Sequence, residues 1–88
     1  MDREKEAKET KRQLSILQYE LDEVTQAIKC LEEEEVELEK SLRFYANDDD
    51  EIDRLRYLLS ATRKKLSDWE TERINLEYKI RSYSKFPF

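Results

Sequence analysis

The sequence has no glycine and no histidine, one cysteine, and one proline, at position 87. Each absence excludes something. A compact globule of 88 residues needs tight turns, and turns draw on Gly and Pro for backbone angles that other residues reach only at a cost. Without Gly there is no phosphate-cradling loop and no EF-hand bend. Without His, the commonest general base and metal ligand near neutral pH is missing. Cys30 cannot form an internal disulfide, and a single thiol points to a reducing compartment. No run of 18 apolar residues is present, so no membrane span is expected. The opening MDREKEAKETKRQ carries no apolar stretch of the signal-peptide kind. The expected location is intracellular, cytoplasmic or nuclear.

What is present is charge and leucine in a regular order. Charged residues make up 44% of the chain, enough to suggest disorder if the apolar residues were scattered. They are not scattered. From Ala7 the positions 7, 10, 14, 17, 21, 24, 28, 31, 35, 38, 42 and 45 step by three and four without a slip. Leu14, Leu17, Leu21, Val24, Ile28, Leu31, Leu38, Leu42 and Tyr45 fill this seam, with Thr10 and Glu35 as its polar exceptions. A second run holds Ile52, Leu55, Leu59, Leu66, Trp69, Leu76, Ile80 and Tyr83, interrupted by Thr62 and Arg73. Such a/d spacing over more than four heptads is a coiled-coil pattern.

The two seams are out of phase across Ala46-Asn47-Asp48-Asp49-Asp50-Glu51. Asn and Asp compete with the helix through side-chain bonds to the backbone, and they cap helix N-termini well. Asp48 with Glu51 has the spacing of a capping box. The expected order is a helix over 5–46, a turn at 46–48, a helix over 49–84 and an apolar tail over 85–88.

A broken seam fits two architectures: an antiparallel hairpin, or one long helix with a stammer that pairs in parallel with a second copy. Folded so that facing core positions sum to 97, eight layers are apolar on both sides, and Glu35 falls opposite Thr62. The flanking charges then attract at Glu39–Arg56, Glu32–Arg63, Glu34–Lys65 and Glu20–Lys79. A parallel dimer would instead oppose Glu34 to Glu39 and Glu72 to Glu77. Each exposed pair contributes only ~0.2–1 kcal/mol, yet such pairs bias direction and partner. The expected fold is all-α, an antiparallel two-helix coiled-coil hairpin that pairs into a four-helix bundle or docks on a partner.

Apolar residues outside the seam are the candidates for that contact: Ile16, Ala27, Cys30, Phe44, Leu58, Ala61, Ile74 and Tyr78, with Phe86 and Phe88 in the tail. Ile16, Cys30, Phe44 and Ala61 fall at heptad position c, Ala27 and Leu58 at g, and these positions adjoin on one flank.

No catalytic, cofactor or metal site is expected. Cys30 has no positioned base, and the run Glu32 to Glu35 would raise its thiol pKa rather than lower it. No small-molecule substrate is implied. Net charge is −5, whereas a nucleic-acid binder presents a basic face. The one basic concentration is Arg54, Arg56, Arg63, Lys64 and Lys65, and in the hairpin Arg56, Arg63 and Lys65 face Glu39, Glu32 and Glu34 of the first helix. The expectation is a non-enzymatic interaction or scaffold module of a larger assembly, with a protein partner or self-association through helices. The alternatives are a nucleic-acid accessory protein using that basic stretch, or a parallel dimeric spacer. By its heptads alone the pattern is similar to the coiled-coil portions of kinetochore, tethering and centrosomal subunits.

Overall fold

In the computed structural model the described residues are 2–84. They form two helices, α1 (Asp2–Phe44) and α2 (Asp49–Ser84), in contact with each other. There is no strand among the described residues. The molecule measures 71 × 14 × 14 Å. Forty-three residues of helix span about 65 Å at 1.5 Å each, so the long dimension is that of α1 alone. The second helix therefore runs back beside the first.

The reversal uses no left-handed residue, since no described residue has positive φ. Many helices end on a left-handed Gly; a chain without Gly ends differently. The Tyr45 N–H donates to the Ser41 carbonyl (2.9 Å), and the Asp48 N–H donates to the Tyr45 carbonyl (3.0 Å), closing a tight three-residue turn. Asp48 then starts α2. Its Oδ1 accepts from the Glu51 N–H at 3.2 Å, and its carbonyl accepts from the Ile52 N–H at 2.9 Å. A cap of this kind contributes about 0.5–2 kcal/mol. Only half of the expected capping box forms, because the Glu51 carboxylate pairs with Arg54 on the next turn. Asp49, Asp50 and Glu51 in the first turn of α2, and Arg43 in the last turn of α1, match the two helix dipoles.

Helix α1 thus ends at Phe44, two residues before the expected boundary at 46. Tyr45 belongs to the turn, where its carbonyl serves Asp48 instead of a helical donor. This removes it from the seam: Tyr45 is exposed and meets Phe44 edge to face, ring centroids 4.9 Å apart at 80°.

The seam is buried where both helices cover it. Leu17, Val24, Ile28, Leu66 and Leu76 form one cluster, with Leu21, Leu31 and Ile80 packed against it. Leu76 is the most enclosed of these, 2% exposed. Leu55 and Leu59 are buried nearer the turn, outside that cluster. Leu14, Leu38, Leu42 and Ile52 are half-buried. Between the two buried stretches, Thr62 is buried and Glu35 half-buried. Arg63, next to Thr62, reaches Glu35 across the seam, so Glu35 lies close to the Thr62 layer of α2.

Trp69 and Tyr83, expected in the core, are exposed. Two helices cover a seam on one side of each residue only. A small d residue such as Val24 disappears between them, whereas an indole extends past the edge. Tyr83 lies where the two helices end, with Thr10 and Gln13 beside it. Phe86 and Phe88 lie outside the described residues.

Candidate interaction face

The antiparallel pairing gives the rod two unlike flanks. One carries the e and b positions of both helices, the other the g and c positions. Side chains on a helix lean toward its N-terminus. On α2 this lean is toward the turn, and on α1 it is away from the turn. Arg63 therefore meets Glu39 on the e flank, not Glu32 as the heptad count alone suggests. Its Nη2 donates to Glu39 Oε1 at 3.0 Å and its Nε to Glu35 Oε2 at 3.1 Å. Hydrogen bonding to Glu35 raises the guanidinium pKa above its ordinary value; burial opposes it, and the weaker contributions of the Glu39 hydrogen bond and the two carboxylate charges add to the rise. Among the described residues these are the ion pairs that bridge the helices. Glu37–Lys40 (3.6 Å), Glu51–Arg54 and Arg73–Glu77 (3.8 Å) stay within one helix. The expected Glu39–Arg56, Glu34–Lys65 and Glu20–Lys79 bridges are not formed among the described residues. Exposed lysines gain little from holding one geometry.

The g and c flank is open. Between the helices it holds a row of recesses whose floor is the edge of the seam. Near the turn, Leu38, Leu58 and Thr62 form the floor, with Cys30, Glu33, Glu34 and Glu37 around it. Further along, Val24, Trp69 and Leu76 form the floor, with Glu20, Glu23, Asp68 and Glu72 around it. At the open end, Thr10, Gln13 and Tyr83 adjoin Glu6 and Glu9. The d residues of α1 at the three sites are Leu38, Val24 and Thr10. They are spaced by two heptads, about 21 Å of helix.

Several candidate contact residues belong to this flank. Cys30 and Leu58 share the recess near the turn, Ile16 is exposed at c, and Ala27 and Ala61 are half-buried beside the seam. Phe44, 81% exposed, stands at the turn. Ile74 and Tyr78 are exposed at b and f, and so face away from the g and c flank. Heptad letters alone did not give the part played by Trp69. It is a d residue, hence next to g, and the largest side chain in the sequence. Both facts were legible and together place it in the groove. Its rim is acidic as well. Glu23, through hydrogen bonding first and its charge second, raises the phenol pKa of Tyr19 one turn earlier.

Among the described residues no group of three or more His, Cys, Asp and Glu converges as metal ligands would. No described helix is long and apolar enough to cross a membrane. Compared with protein-family models, characterised proteins and solved structures, the chain matches none.

Proposed function

We propose that this chain is a non-enzymatic coiled-coil interaction module, a stiff helical hairpin that joins a larger protein assembly by docking its open flank on a partner or completing a helical bundle. The observation that supports this reading is the floor of the g and c groove. The seam residue Trp69 and the g residue Leu58 remain exposed there, beside the buried Val24, Leu76 and Thr62. A third or fourth helix is the usual means of covering such a floor. The engagement of Arg63 by two glutamates supports a protein partner over a nucleic acid, because the most constrained cation of the basic stretch already has its anions. We place the module inside the cell.

The test is capture of partners by the tagged chain from its native cells, with Phe44→Asp/Leu58→Asp alongside. Both positions are exposed, so the variant is expected to keep its helicity by far-UV circular dichroism. The unmodified chain is expected to retain a specific protein in stoichiometric amount and the variant to lose most of it. Equal retention by a folded variant would contradict the docking role of this flank.

A further inference from the structure

Which partner fits the groove follows from its rim. The recess around Trp69 is bordered by Glu20, Glu23, Asp68 and Glu72, and the recess around Leu58 by Glu33, Glu34 and Glu37. Neither has a basic residue among its described lining. Lys65 and Lys79 occupy g positions on the same flank and border neither recess. The opposite flank differs. There the recess beside Val36 and Leu66 is lined by Glu32, Glu35 and Glu70 together with Arg63, which already holds Glu35 and Glu39. One flank thus holds a cation among its carboxylates, while the other presents a partly exposed apolar floor between two acidic margins with no cation in their lining.

We infer that the g and c groove binds a basic amphipathic helix of a different protein, one with apolar anchors two heptads apart and Lys or Arg on both sides of the apolar stripe. The inference rests on the docking role proposed above and names its partner. The anchor spacing is that of the recesses at Leu38 and Val24. About 28 residues of helix, roughly 42 Å, would cover both sites. Lysine and arginine suit the margins because their stems lie along apolar surface while their heads reach the carboxylates. A second copy of this chain is a poor occupant of the same groove. Two-fold pairing would set Glu20, Glu23, Asp68 and Glu72 of one copy against the like margins of the other, and like-charge juxtaposition at an interface is costly.

Trp69 is the only tryptophan in the chain and lies in the groove, so the test has an internal reporter. The probe is a synthetic, tryptophan-free helix of about 28 residues with Leu on one face and Lys on the flanking positions; the comparison peptide carries Glu in place of Lys. With the full chain, the Lys peptide is expected to shift Trp69 emission to the blue, and the Glu peptide to leave it unchanged. Glu23→Lys/Asp68→Lys is expected to weaken binding by roughly tenfold, and Asp22→Lys/Glu70→Lys, an equal charge change on the other flank, by less than about twofold. Equal losses for the two variants would reduce the effect to undirected attraction and overturn the proposal. So would equal binding of the Glu peptide, or an unchanged Trp69 spectrum. A chain that sediments alone as a dimer with Trp69 already covered would assign the groove to a second copy and likewise overturn it. If the Lys peptide fails while Phe44→Asp/Leu58→Asp still abolishes capture from cells, the docking role stands and the basic partner falls.

Discussion

Leu76→Ala is expected to cost the hairpin about 2–5 kcal/mol. Truncating a buried Leu loses its transfer free energy and leaves a cavity that neighbours refill only in part. Leu76 is the most enclosed side chain of the core, and it belongs to the one apolar cluster that joins both helices. A chain of this size has little stability to spare. For small domains about 1 kcal/mol moves the melting temperature by roughly 4–8 °C, so a fall of about 10 °C or more is expected by far-UV circular dichroism. Ile74→Ala, two residues away and exposed, is expected to stay within about 0.5 kcal/mol of the parent. The comparison separates helix propensity from packing, because both substitutions put the same good helix former in place of a branched residue. Melting of Leu76→Ala together with the parent would mean that the seam is not what holds the helices together.

The second large effect has the opposite sign. Glu35 and Thr62 interrupt the seam between the cluster around Leu76 and the buried pair Leu55 and Leu59. Glu35→Leu/Thr62→Leu would join the two stretches into one apolar seam. The cost is the Glu35–Arg63 pair, whose side chains are 29% and 55% exposed, and pairs so exposed contribute about 0–1 kcal/mol. Arg63 keeps Glu39 in any case. Replacing polar and ionic core groups by packed apolar ones gains about 1–4 kcal/mol in comparable cases, so a higher urea midpoint is expected. If the midpoint falls instead, the Glu35–Arg63 bridge stabilises the hairpin beyond its exposure. The layer is well placed to fix register, since polar seam residues do so at a cost in stability.

Much of the architecture was legible because it follows from spacing. Alternating steps of three and four put the leucines on one stripe, the phase slip located the reversal, and Asp48 marked the start of α2, where its side chain does accept the Glu51 N–H. What spacing could not supply was size and direction. Tyr45 and Trp69 sit in the right phase for the seam, yet the turn consumes Tyr45 and the indole of Trp69 is too large for two helices to enclose. Counting heptads pairs Arg63 with Glu32, whereas the opposed lean of side chains on antiparallel helices brings it to Glu39 and Glu35. The candidate face was legible at Cys30, Leu58 and Phe44. Its acidic margin emerged only once the register showed which carboxylates border the groove.

The central claim is that the chain doubles back at Asp48, so that residues far apart in sequence lie side by side. A pair of spin labels, attached through Gln18→Cys and Glu77→Cys in a Cys30→Ser background and diluted with unlabelled protein, tests it most directly. Neighbouring helix axes lie about 8–10 Å apart, and with the label arms the account predicts a separation of about 20 Å within one molecule. A distance near 90 Å, the length of about 59 residues of continuous helix, would contradict it.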